Sequence, residues 1–294
     1  MQPAPARNAP PRCLYYIQGR GSFSSAGTGQ TSGHDHASLS RRRVVCHFRP
    51  RRSPFDFGGM SLAPPLAMVT VPAGWIRLGI PTCPPRSSLP WVWHTGRAID
   101  VPTFQLSRTH VTNAEYAAFL GETGHARPAF IDRPGYDRPA QPVVGISWHD
   151  ATAYCGWLAG KTGQPCRLPS DAEWEYAARG AREGSIFPWG DALDPQFACF
   201  GGQAAPRDVG TFPANGFGLC DMIGNAWAWC SDRFEDVSAG VKAINQPTGQ
   251  DPAGNRVLRG GSFLTTHYLN LWVAYRHEDP ADLRHESIGF RVAI

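Results

Sequence analysis

An α+β fold with little regular secondary structure is what this sequence predicts. Thirty-two glycines and 27 prolines take up about a fifth of its 294 residues, and both residue types interrupt long helices and central strands. Three short amphipathic segments carry helix-start signatures, and β-like patterns occupy both ends of the globular part. Ten tryptophans supply apolar area that short elements cannot bury alone.

The first 67 residues read as a separate piece: a disordered basic tail, or the product of a start assigned too early, with Met60 or Met68 as the true beginning. Residues 1–59 hold nine arginines, three of them in the run Arg41, Arg42 and Arg43, against Asp35 and Asp56 alone. No apolar stretch of signal-peptide length occurs there. Beyond residue 59 the remaining 19 basic and 22 acidic residues leave a net charge of about −3. That balance gives no nucleic-acid footprint. No apolar run is long enough to span a membrane.

The domain is expected over 68–294. Val69 and Val71 alternate, 72–74 turn, and 75–78 return, which reads as a hairpin. Residues 80–100 are Pro-rich and irregular. Helices are expected after Thr112, Ser147 and Ser170, each followed three residues later by an acid (Glu115, Asp150, Glu173) that completes a capping box. Gly180 closes the third helix. Trp148, Ala151, Cys155 and Leu158 share one helical face, as do Trp174 and Ala178, so both stripes read as core. Regular periodicity then lapses for some seventy-five residues. It returns at RVLRGGSFL (256–264) and at IGFRVAI (288–294), the latter a strand expected beside the first hairpin.

Several stretches in order carry a family resemblance: VVGISWHDATAYCGWL (143–158), RLPSDAEWEYAARG (167–180), FPWGD (187–191), NGFGLCDMIGNAWAWCSD (215–232), RVLRGGS (256–262) and GFRVA (289–293). Read together, they resemble the formylglycine-generating enzyme family, also called the sulfatase-modifying factor family, from about Met68 onward. The resemblance implies a C-type-lectin-like α+β fold with N- and C-terminal strands paired. Its members include copper oxidases that convert a sulfatase cysteine to formylglycine, iron-dependent sulfoxide synthases, siderophore-maturation proteins and binding scaffolds. Fold alone does not choose among them.

Individual positions narrow the choice. The copper oxidases hold Cu(I), a soft ion, on two cysteines shortly after the RGGS motif. The corresponding positions here fall at Thr265 and Asn270, and no cysteine follows Cys230. The resemblance places Trp227 and Ser262 in the substrate groove, with Arg259 and Arg276 as neighbours able to clamp a carboxylate. The structural alternative for these arginines is an internal ion pair with Asp232 or Glu175. Thr265, His267 and Asn270 complete the candidate groove. His267, His277 and His285, with Glu278, Asp279 or Asp282, are candidate ligands for a non-haem metal. Calcium is expected at Asp221, Gly224 and Ala226 through side-chain and carbonyl oxygens. That set is weakened because Ala228 stands where the family has a glutamate. In the alternative, Asp221 and Asn225 tie down their loop by hydrogen bonds.

Cys83, Cys155, Cys166, Cys199, Cys220 and Cys230 form no CxxC pair, which argues against a zinc or thioredoxin-type site. Cys155 and Cys230 read as core thiols, and with no signal peptide recognised a reducing cytoplasm is the expected location. Three functions remain open. One is an oxidative tailoring enzyme with a non-haem metal, iron or copper. The second is a lectin-like scaffold binding a peptide or small ligand, and the third is sulfatase maturation by another ligand set. No nucleic-acid or membrane partner is expected, and the oligomeric state is not legible. If the tail is separate, the full chain and a chain beginning at Met68 will melt at the same temperature. A fall of many degrees on shortening would show that the tail packs on the domain.

Overall fold

The computed structural model describes residues 66–79, 98–234 and 254–294, all within one compact unit, Arg51–Ile294. The expectations for most of the tail, for residues 80–97 and for Cys83 lie outside the described residues. Eight strands and three helices follow in order: β1 (Met68–Val71), β2 (Gly74–Ile76), β3 (Ile99–Val101), β4 (Phe104–Ser107), α1 (Asn113–Thr123), α2 (Trp148–Thr162), α3 (Asp171–Arg179), β5 (Trp227–Arg233), β6 (Asn255–Arg259), β7 (Arg276–Pro280) and β8 (Ile288–Phe290).

The helices begin where their caps place them. Thr112, Ser147 and Ser170 each accept the N–H three residues on, and the acid there accepts the cap residue's own N–H. Each such cap is worth about 1 kcal/mol. Gly180 ends α3 at φ 56°, and a Cβ there would lie 2.8 Å from the Gly216 nitrogen. Only glycine combines that conformation with so close a neighbour. Along α2 the buried residues are Asp150, Ala151, Tyr154 and Cys155, whereas Trp148 and Leu158 are half-buried.

The N-terminal hairpin does not form as expected. β1 pairs antiparallel with β4, and β2 with β3, so 72–74 joins two strands that pair elsewhere. The residues of β3 lie at the end of a Pro-rich stretch that shows no alternation. Beside these two two-stranded sheets, a four-stranded sheet has the order β7-β6-β5-β8, antiparallel except for the parallel pair of β5 and β8. β5 falls inside the stretch expected to lack periodicity. Its first four residues are all buried, and a strand covered on both faces shows no apolar–polar alternation. The C-terminal residues lie beside β4, with Ser107 N–H donating to Val292 O at 2.8 Å and Gln105 exchanging bonds with Ile294.

Among the described residues the core consists of two large clusters and a smaller one around Tyr136, Cys199 and Phe263. One of the large clusters gathers β1–β4 around Trp174, Ala177 and Ala178 of α3. The other packs Tyr116, Phe119 and Tyr154 of α1 and α2 against Trp229 and Phe290 of β5 and β8. Trp174 is 1% exposed. Replacing it by alanine is expected to cost about 3–5 kcal/mol, read as a lowered midpoint in urea. A variant that unfolds like the parent would remove this ring from the core.

Candidate functional site

The groove residues named from the sequence separate into two populations. Arg259, at the end of β6, is completely buried. It pairs through Nε with Asp171, the first residue of α3, and through Nη2 with Glu175 at 3.0 Å. Its Nη1 donates to the carbonyls of Val273 and Tyr275 at 3.0 and 3.1 Å. Arg276, at the start of β7, is also buried and meets the other Asp171 oxygen at 2.6 Å. Arg179 closes the network on Glu175 at 2.6 Å. Both groove arginines are thus internal cations. Glu175 is a partner as the structural alternative has it, and Asp171 replaces Asp232 as the second acid. Nothing in the local sequence marks Asp171, which reads as an ordinary first-turn acid 88 residues before Arg259.

The electrostatics follow from this packing. Burial alone would raise the Asp171 carboxyl, but the Arg259 and Arg276 charges outweigh it and hold it below the usual value. Asp232 accepts the Asp171 N–H at 2.8 Å, and its carboxyl is pushed up to about 7 by burial and by the Asp171 charge.

Ser262 and Thr265 are buried in the turn after β6. The Thr265 hydroxyl accepts the Ser262 N–H at 2.9 Å, and the Thr265 N–H donates to Ser262 O at 3.0 Å. Asn270 lies half-buried in a short 3-10 turn, Tyr268–Leu271, and its N–H donates to His267 O. His267 is exposed and stacks on Tyr268, centroids 5.7 Å apart. A hydroxyl and an amide offer no thiolate, so these positions do not fit Cu(I).

Trp227, at the start of β5, has its ring 6.0 Å from Tyr275 and 5.3 Å from His277. His277 alternates with Asp279 on β7, and its Nε2 lies 3.5 Å from the Asp279 carboxylate. Burial raises the Asp279 carboxyl, while the charges of His277 and His285 act against that rise. His285 Nδ1 lies 2.9 Å from the hydroxyl of Ser287, whose carbonyl accepts the Trp227 N–H. An aromatic corner results, with the His277 imidazole beside a half-buried carboxylate and His285 acting on that carboxylate only through its charge. Tyr275 and Ser287 were not foreseen, since neither belongs to a recognisable motif spacing. Of the three histidines proposed as a set, His277 and His285 share a neighbour in Asp279. His267 instead belongs to the stack with Tyr268. Among the described residues, no three His, Cys, Asp or Glu side chains form a group able to hold a metal.

Asp221 and Asn225 both take left-handed backbone conformations, φ 53° and 60°, which Asp and Asn tolerate better than most residues. Asp221 Oδ2 accepts the Gly210 N–H at 2.6 Å, and its buried Oδ1 has no hydrogen-bond partner. Burial raises this carboxyl, and the positive charges of Arg291 and Arg108 offset part of the rise. Asn225 exchanges two bonds with the Arg207 backbone. Gly224 lies so near Cys199 that a Cβ would come within 2.4 Å of its carbonyl oxygen. Ala228, buried between β6 and β8, supplies no oxygen. One buried, unpaired carboxylate oxygen under the positive charge of Arg291 is a poor fit to calcium, which takes about six to eight oxygens.

The sulfatase-modifying factor enzyme 1-like domain matches residues 60–294, and the chain belongs to that family. The formylglycine-generating enzyme of Streptomyces coelicolor is 34% identical over 65% of this chain and 77% of that protein. The inactive C-alpha-formylglycine-generating enzyme 2 of Mus musculus is 34% identical over 52% of this chain and 48% of that protein. The structure of PvdO from Pseudomonas aeruginosa superposes with a TM-score of 0.64 at 28% identity, covering 77% of this chain and 93% of that one. No helix among the described residues is long and apolar enough to cross a membrane.

The Asp232 carboxyl gives the site a titration signature. Its folded value near 7 lies above the unfolded value of about 3.9. Between those limits the folded state binds the extra proton, so this group's contribution to stability falls as pH rises from about 4 to about 7 and then levels. Asp171 is lowered and titrates below that window. Asp232→Asn is therefore expected to gain stability relative to the parent progressively across the window, measured by urea unfolding at several pH values. A difference between the two proteins that stays constant with pH would remove Asp232 as the titrating group.

Proposed function

We propose that this chain is a ligand-binding member of its family, whose groove beside Trp227, Tyr275 and His277 takes a peptide or small molecule. It does not oxidise cysteine by the copper–thiolate route. The observation that carries this reading is Thr265, whose hydroxyl closes a hydrogen-bonded turn with Ser262 near the position at which the resemblance puts the first copper-binding cysteine. Likeness to a mouse relative described as inactive supports it. The partner is neither nucleic acid nor membrane on this reading, because the domain carries no basic surplus. The five cysteines with described structure are free thiols, which supports a reducing compartment such as the cytoplasm.

A second reading, an oxidative tailoring enzyme using non-haem iron or copper, is favoured by one feature, the His277 imidazole set beside the Asp279 carboxylate. Metal analysis of untagged protein separates the two. Substoichiometric iron and copper are expected, and one equivalent of either would favour the tailoring enzyme. Incubation with Cu(I), oxygen and a Cys-Thr-Pro-Ser-Arg peptide is expected to give no formylglycine by mass spectrometry. The double substitution Thr265→Cys with Asn270→Cys serves as control, and copper bound without turnover would place the remaining difference in the groove. Formylglycine made by the unsubstituted protein would overturn the reading.

A further inference from the structure

A cleft of about 400 Å³ opens between two of the family motifs, and shares no residue with the Trp227 groove. Its volume falls within the range of about 300–1,000 Å³ typical of small-molecule sites. Trp189 and Phe197 form one wall as a stacked pair, 5.3 Å apart and 14° from parallel. Phe187 stacks on the same indole at 5.2 Å. The buried side chains of Leu219, Met222 and Ile223 also line it.

Most polar groups of the lining are already committed. Asn215 donates to Ala177 O and Ala178 O, and its Oδ1 accepts the N–H groups of Phe217 and Leu219. Asp221 is the one carboxylate in the lining. Its Oδ2 holds the Gly210 N–H, its Oδ1 is shut away from solvent, and its charge acts inward on buried Arg291. Arg182 differs. It is exposed, it lines the cleft, and its guanidinium makes no ion pair among the described residues. The cleft thus offers a ligand flat aromatic surface, apolar contact and one available cation.

We propose that this cleft is a second binding site and takes a small aromatic carboxylate. The ring lies against Phe197 and the edge of the Trp189 indole, whose faces are taken up by Phe187 and Phe197, and the carboxylate is received by Arg182. Aromatic stacking gives the wall its preference for planar ligands, and the guanidinium fork matches a carboxylate in geometry and charge. An aromatic amine of the same shape meets like charge at Arg182 and is disfavoured.

Indole-3-acetate is the probe, with tryptamine as its cationic counterpart, followed by ligand-observed NMR titration of the full chain. Saturable binding of the acid is expected, with tryptamine at least tenfold weaker. Arg182→Ala is expected to weaken the acid about tenfold, as for loss of a charge-assisted hydrogen bond. Ala214 is exposed and lines the cleft, so Ala214→Trp fills the space without touching the core and is expected to abolish binding. His277→Ala, in the separate groove, leaves binding unchanged. Failure of the acid to saturate at millimolar concentration overturns the proposal, as does binding that survives Ala214→Trp. Equal affinity for tryptamine, or loss of binding in His277→Ala alone, overturns it too. The latter two results would leave the reading of the Trp227 groove intact.

Discussion

The structure depends on how Asp171 and Glu175 neutralise the arginines buried with them. Arg259 is completely enclosed, and an isolated charge in that position would cost several kcal/mol, a large share of a domain's whole stability. Asp171 serves Arg259 from β6 and Arg276 from β7, while Glu175 serves Arg259 and Arg179. One turn of α3 therefore clamps two strands of the sheet. Removing a single partner from such a set costs about 3–5 kcal/mol, because the remaining charge stays buried. The helix is suited to the task, since an acid in its first turn is also favoured by the helix dipole.

That constraint shapes the groove by subtraction. The two arginines named from the resemblance are consumed by the core, so on the proposed reading Trp227, Tyr275, His277 and the Asp279 carboxylate are what the groove has left to offer a ligand. Its character is aromatic and imidazole-rich where the sequence suggested a guanidinium clamp. The same logic applies at Asp221, where Arg291 donates to the carbonyls of Ser107 and Arg108 at 3.0 Å and brings positive charge to the place where the family resemblance implies a cation.

How much of this was legible depended on the range of the interaction. The three capping boxes lie within four residues each, and they were readable because donor and acceptor are fixed by helix geometry alone. The family motifs, with their rare tryptophans, identified the fold. Strand pairing was less accessible: β1 and β2 look like a hairpin locally, yet their partners come from 99–107. β5 was invisible because burial on both faces erases the alternation that marks a strand. The arginine network was half visible, with Glu175 named and Asp171 missed. Its members come from α3, β6 and β7, and sequence spacing carries no information about such meetings.

The parallel pairing of β5 with β8 has a consequence for the order of events during folding. Trp227, Ala228 and Trp229 face Ile288, Gly289 and Phe290, some sixty residues later in the chain. Arg167 and β4 also take partners among 292–294. During synthesis these central groups stay unpaired and largely apolar until residues 288–294 have been made and can reach them. Contacts of such long separation form slowly, because loop closure is required before they bring any stabilisation. The nascent domain is therefore exposed to aggregation or chaperone capture until its last strand arrives.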